Sequence, residues 1–179
     1  MKALIAYGTT EGQTEHIAEE LARRLAERGV SAVTVDLEHG FPDIPGYDRV
    51  VVGGSIHMRK YQKEVVKFVQ QNVDRLNAMP SWFFGVSLSE AAGDVPDGHP
   101  AAQAIMDAFL QSTGWRPKGA LSLAGALKYR EYNFLKRQVL KRIAAKAGGD
   151  TDTSRDWEYT DWSKVDALAD EIALAPVGV

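Results

Sequence analysis

The residues whose types and spacing could do chemistry begin at position 9. An apolar run from Ala3 to Tyr7 stops at Gly8, and Thr9-Thr10-Glu11-Gly12-Gln13-Thr14 leads straight into a helical pattern. The first N–H groups of a helix have no intrahelical partner. Flanked by threonine hydroxyls, they make a cradle for phosphate. A strand–loop–helix cradle here predicts a nucleotide-like cofactor held by its phosphate; standing alone, the same pattern also describes a capped β–α turn. It is neither a Walker loop, which ends in Gly-Lys-Ser/Thr, nor the GxGxxG of dinucleotide folds.

The elements that must position this loop alternate along the chain. Apolar runs at Ala3–Tyr7, Ala32–Val35, Val50–Val52, Trp82–Val86 and Ala120–Ala124 read as buried strands of a parallel sheet. Helical patterns fall between and after them, at Gly12–Arg28, Gln62–Leu76, Ala101–Gln111 and Ser163–Ala173. The first aligns Thr14, Ile17, Leu21 and Leu25 on one face and stops at Gly29. Asp161 or Thr160 can cap the last. This predicts an α/β fold with a doubly wound, five-stranded parallel sheet, all 179 residues forming one domain.

Composition narrows the function classes. The chain is 45% hydrophobic and 25% charged, with a net charge of −3. It has no cysteine, which excludes disulfides, thiolate metal sites and cysteine nucleophiles and fits a reducing cytoplasm. No apolar stretch approaches the roughly 18 residues of a spanning helix, and the apolar start is too short for a signal peptide. Of four histidines, His16 falls on the first helix and His39 and His99 in loops, with no metal-ligand spacing. No nucleophile–base pair stands out.

Charge is unevenly spread. Between Arg116 and Ala147 nine basic residues face only Glu131, a net of +8 that leaves −11 on the remainder. The stretch of about 125–156 interrupts the last strand–helix unit. It reads as a basic helix from about Glu131 to Ala147, Gly148-Gly149, and a short returning strand at Trp157–Thr160.

The first loop resembles the phosphate motif of flavodoxins, Thr/Ser-x-Thr-Gly-x-Thr, with Thr9, Gly12 and Thr14 matching and Glu11 departing from the usual threonine. The resemblance implies that Thr9, Thr10, Glu11, Gly12, Gln13 and Thr14 wrap the phosphate of FMN through amides and hydroxyls. The ring would lie against the loops after the third and fourth strands. Those supply Ser55, Ile56, His57, Met58 and Tyr61, then Ser87, Leu88 and Ser89 ahead of the loop from Gly93 to Pro100, with Gly125 and Ala126 after the fifth strand. Gly53-Gly54 would let backbone approach a planar ring, or would pack closely against the first helix. His57 is the catalytic candidate, placed to hydrogen-bond flavin or substrate.

Further stretches resemble the bacterial menaquinone-dependent protoporphyrinogen oxidase (dehydrogenase) family: Tyr47 to Gly53, Leu76 to Ser81, Trp115-Arg116-Pro117, Ala124 to Tyr129, Gly148-Gly149-Asp150-Thr151-Asp152-Thr153 and Tyr159 to Trp162. This implies FMN-dependent oxidation of protoporphyrinogen IX in haem biosynthesis, with menaquinone or ubiquinone as acceptor. Arg59, Lys60, Lys128 and Arg130 are candidate partners of substrate propionates. Lys136, Arg137, Lys141 and Arg142 are candidates for an anionic membrane surface, which would make a cytoplasmic protein peripheral on the inner face of the cell membrane. A solvated basic helix packed on its own domain is the other reading. Nucleic-acid binding is not expected, because no nucleic-acid module accompanies the basic stretch. The rival functions are a flavodoxin-like FMN electron carrier, an NAD(P)H-dependent quinone reductase, and a flavin-free scaffold whose cradle Glu11 has degraded. The sequence leaves the oligomeric state open.

Overall fold

Residues 1–87, 99–127, 152–154 and 156–176 are described by a computed structural model. The expected parallel sheet is present. Its strands are β1 (Lys2–Gly8), β2 (Ser31–Asp36), β3 (Arg49–Ser55), β4 (Ser81–Ser87) and β5 (Gly119–Ala124), in the order β2-β1-β3-β4-β5. All four pairings are parallel. β1, β3 and β4 are central and covered on both faces, which is why they read as unbroken apolar runs rather than alternating ones.

The side chains sort by parity onto two faces. Ala3, Ile5, Val51, Trp82 and Phe84 pack beneath α1 (Gln13–Glu27), together with Val165, Leu168 and Ile172. Leu4, Ala6, Val50, Val52 and Phe83 face Phe68 and Val69 of α2 (Lys63–Ala78) and Met106 and Phe109 of α3 (His99–Thr113). The residues around Val165 belong to the last helix, α4 (Trp162–Leu174). The elements follow the periodicity and differ mainly at their ends. The clearest difference is β3, which runs on through Gly53 and Gly54 to Ser55.

Two features fix α4 and the residues leading into it. Asp161 caps it, its carboxylate accepting from Ser163 N–H at 3.0 Å. At its other end Arg49, fully buried on β3, donates to the carbonyls of Ile172 and Ala175, acceptors that a helix end leaves unpaired. Burial lowers the Arg49 pKa, while the neighbouring Asp48 opposes that shift. The short returning strand is also present: β7 (Trp157–Glu158) pairs antiparallel with β6 (Ala126–Leu127). Leu88, Ser89, residues 93–98 of the fourth-strand loop, the expected basic helix, and Lys128, Arg130, Lys136, Arg137, Lys141 and Arg142 lie outside the described residues.

Candidate functional site

In a sheet of this order the chain reverses direction between β1 and β3, and ligands of open α/β sheets bind at such a switch point, outside the carboxyl ends of the strands. The predicted cradle sits there. Gly8 ends β1 with no room for a side chain, since a Cβ would lie 2.6 Å from Val65 Cγ2. The chain then turns through Gly12 at φ 78°, a left-handed conformation that costs other residues about 1–2 kcal/mol. Gly12 N–H donates to Thr9 Oγ1 at 2.9 Å, which closes the loop on itself. Gly12 also opens α1, and no side chain caps that helix start.

A cavity of about 140 Å³ lies over this helix start. Thr9, Thr10, Glu11, Gln13 and Thr14 form one wall; Ser55, Ile56 and His57 follow β3; Val86 and Ser87 end β4; Gly125 and Ala126 follow β5. No Lys or Arg lines it among the described residues. An anion here would therefore be held by amides, hydroxyls and the positive end of the helix dipole. The Thr14 hydroxyl is fully buried and has no hydrogen-bond partner among the described residues. Such an orphan costs about 1–3 kcal/mol, and a phosphate oxygen is the acceptor that would satisfy it. The residues present thus fit a phosphate-ended cofactor. Glu11 lines the cavity, so a bound phosphate has to accommodate its charge.

Three hydrogen-bond groups hold the cradle, and the sequence pattern revealed none of them. Gln62, directly before α2, does not cap its own helix. Its Oε1 accepts from Ser55 N–H at 3.1 Å, while Nε2 donates to Thr10 Oγ1 at 3.0 Å and to Ser55 Oγ, tying the first loop to the third-strand loop. Gln13, nine-tenths buried, turns away toward the last unit, its Nε2 donating to Thr160 Oγ1 and Glu158 Oε1, both at 2.9 Å. Thr160 passes the link to Ala124 O at 2.9 Å. Tyr7 OH donates to Glu15 Oε1 at 2.9 Å; burial, and then this bond, push the phenol pKa far up, so it stays a donor. Gln62 sits among the polar residues Lys60, Lys63 and Glu64 before α2, and Gln13 and Thr160 are partners across 147 positions, so no local pattern marks these bonds.

Other expected residues are placed differently. Gly53 and Gly54 are buried strand residues, and neither yields to a ring. A Cβ on Gly53 would lie 2.2 Å from the Phe84 ring, and one on Gly54 3.0 Å from Tyr61. Close packing is what excludes side chains there, against Phe84 and Tyr61 rather than the first helix. Tyr61 lies outside the cavity lining, buried edge-on against Phe83 and Phe109 at 5.0 Å each. His57 and Lys60 bond to each other through both backbone N–H groups, at 2.9 and 3.1 Å, closing a tight turn. Its two central residues, Met58 and Arg59, sit at φ 48° and 63°. His57 faces the cavity; Met58 stands 83% exposed at the tip; Arg59 and Lys60 line a different hollow, between α2 and α3.

Comparison with known proteins agrees with this architecture. The profile of the flavodoxin-domain family matches residues 4–154. A protein of Escherichia coli K12 named protoporphyrinogen IX dehydrogenase (quinone) is 38% identical over 174 residues, 97% of this chain and 95% of its own length. A Leishmania major protein of the same name is 34% identical over 180 residues, covering 99% of this chain and 77% of its own. Among solved structures, rubredoxin oxygen:oxidoreductase of Desulfovibrio gigas superposes at TM-score 0.54 and 14% identity over 96% of this chain and 35% of its own. Oxidised flavodoxin 1 of Bacillus cereus does so at 0.50 and 15%, over 83% and 97%. These structural likenesses bear on the fold alone.

Proposed function

Because the chain belongs to the flavodoxin-domain family, and within it to the quinone-dependent protoporphyrinogen IX dehydrogenases, we propose that it is an FMN enzyme that oxidises protoporphyrinogen IX to protoporphyrin IX and delivers the electrons to menaquinone or ubiquinone. The cofactor half rests on one observation, the orphaned Thr14 hydroxyl in a cradle at the switch point. The reaction half rests on the names of relatives aligned over nearly the whole chain. We read residues 1–179 as one domain of this kind, with the basic stretch of about 125–156 as an insertion.

FMN, when bound, supplies the redox relay between the two substrates. The chain's own residues supply position. Thr9, Thr10 and Thr14, which line the cavity, would hold the phosphate end, with the α1 dipole stabilising its charge. Gln62 keeps the walls from β1 and β3 at fixed separation. Gln13 does the same toward β5 and β7. His57, on the cavity wall, is placed to hydrogen-bond the cofactor edge or the substrate.

No helix among the described residues is long and apolar enough to cross a membrane. We place the protein in the cytoplasm, at the inner face of the cell membrane. There Lys136, Arg137, Lys141 and Arg142 would meet anionic lipid close to the quinone pool.

The test is anaerobic turnover. Purified protein should carry an FMN absorption spectrum, and protoporphyrinogen IX with a quinone analogue should develop porphyrin fluorescence faster than the uncatalysed control. FMN-loaded protein with no enhancement over that control overturns the reaction. Protein that takes up no FMN overturns the cofactor.

A further inference from the structure

We infer that the hollow between α2 and α3 is the docking groove for the tetrapyrrole, with its carboxylates held by Arg59, Lys60, Lys63 and Lys67 and its macrocycle lying on the apolar wall beneath them. The inference rests on the functional reading above for the identity of the ligand. It adds the place where that ligand binds.

The groove measures about 660 Å³, well inside the ~300–1,000 Å³ range of sites for small organic ligands. Its walls are chemically divided. Tyr61, Val66, Ile105, Ala108 and Phe109 give an apolar surface, while the four cations come from the tight turn and the first two turns of α2. Lys63 and Lys67 are one helical turn apart and so share a face. Among the described residues no acidic side chain lines the groove. Among the described residues only Lys63 of the four has a carboxylate partner, the adjacent Glu64 at 3.5 Å. Lys67 instead lies over the Phe41 ring at 5.6 Å.

A cationic rim on a chain of net charge −3 runs against the protein's overall sign and selects an anion. An apolar floor under that rim selects one with a large hydrocarbon body. A tetrapyrrole bearing two propionates has both properties, and a quinone ring, being uncharged, has only the second.

The turn from His57 to Lys60 joins this groove to the cradle. Ile56 and His57 line the cradle cavity, and Arg59 and Lys60 line the groove. The turn places two non-glycine residues, Met58 and Arg59, in the left-handed region, which side chains rarely adopt. That strain aims Arg59 and Lys60 into the groove while His57 stays on the cavity side. A tetrapyrrole in the groove is therefore separated from the cofactor site by one turn of chain.

The experiment uses the FMN-loaded full-length protein and two stable probes, protoporphyrin IX and its dimethyl ester, titrated by fluorescence. Double charge reversal, Lys63→Glu with Lys67→Glu, should weaken protoporphyrin IX about tenfold or more and raise KM for protoporphyrinogen IX in step. Flavin absorption should stay unchanged. On the unaltered protein the uncharged ester should bind about as weakly as the acid binds to the variant. The Lys63 side chain is 92% exposed, so its replacement does not threaten the fold. Ala108→Trp, which fills the exposed floor, should weaken both probes and serves if the charge-reversed chain loses its flavin.

Unaltered protoporphyrin IX affinity in both variants overturns the groove. So does unchanged affinity with loss of sedimentation on phosphatidylglycerol vesicles, which would make the rim a lipid contact. The two readings fail separately. If the unaltered protein does not turn over protoporphyrinogen IX but porphyrin binding still falls in the variants, the activity is wrong and the groove stands. Turnover with KM and binding indifferent to the variants means the reverse.

Discussion

Replacing Thr14 by valine should move two measurements in opposite directions. Thr14 Oγ1 is buried with no partner among the described residues, and an unpaired buried hydroxyl costs the flavin-free protein about 1–3 kcal/mol. Valine keeps the branched shape, has nearly the same helix propensity and removes the orphan. The flavin-free variant should therefore be more stable by about 1–2 kcal/mol, seen as a higher urea midpoint with unchanged m. For a chain of this size that is a rise in Tm of about 2–4 °C per kcal/mol. FMN affinity should fall, because a hydrogen bond to a charged phosphate is worth about 1.5–3 kcal/mol, or roughly 10- to 150-fold in Kd. Thr14→Ser is the control: it keeps the hydroxyl and the affinity but deletes a buried methyl, costing about 0.8 kcal/mol of stability. The affinity is read by quenching of FMN fluorescence and the stability by circular dichroism. A valine variant that binds FMN as tightly as the parent, or that is less stable without it, refutes the assignment of this hydroxyl to phosphate.

Gly53→Ala should destabilise the fold by about 1–3 kcal/mol in urea, because its Cβ would lie 2.2 Å from the Phe84 ring. Adding Phe84→Leu should recover part of that loss, and strict additivity of the two changes would refute the packing account. Glu20 is held at about 2, chiefly by its hydrogen bond to Arg23 and further by Arg24, against a usual value of 4.5. Its folded pKa is depressed, so its contribution is present above the unfolded value and is lost as pH falls from about 4.5 toward 2. Arg23 is more than half exposed, while Glu20 and Arg24 keep only about a fifth of their side-chain surface in solvent, so screening by water and salt trims the contribution. Arg23→Gln with Arg24→Gln should flatten that part of the acid limb; an unchanged pH profile of the urea midpoint counts against it. Finally, Lys136, Arg137, Lys141 and Arg142 changed together to Glu should abolish sedimentation with anionic vesicles, since each cation near such a surface is worth about 1 kcal/mol. Retained binding rejects the electrostatic attachment.

Much of the fold was legible along the chain because its signals are local. Apolar runs such as Ala3–Tyr7 show a strand buried on both faces, and the spacing of Thr14, Ile17, Leu21 and Leu25 sets the buried face of α1, as observed. Gly29 announces the left-handed end of that helix, and its φ is positive. The loop after β1 was legible as a candidate phosphate cradle for the same reason, since its amides and hydroxyls are neighbours in sequence.

What remained hidden was settled by contacts between distant residues. Whether Gly53 and Gly54 clear space for a ring or for a side chain depends on Phe84 and Tyr61, which no local pattern brings to them. Tyr61 reads as a loop residue beside a cofactor, yet the burial of its ring against Phe83 and Phe109 takes it into the core. Arg59 and Lys60 adjoin His57 in sequence, but a turn held by two backbone bonds sends them to another hollow. Gln13 and Gln62 act through hydrogen bonds to partners that only the folded sheet brings within reach. The amino-acid sequence by itself determined the strands and helices of the main sheet and the loop that joins β1 to α1, because these follow from periodicity and backbone freedom over a few residues. Only the tertiary structure decided which side chains face the cavity, which fill the core and where the cationic groove opens, because those depend on how the sheet and its two helical layers close together.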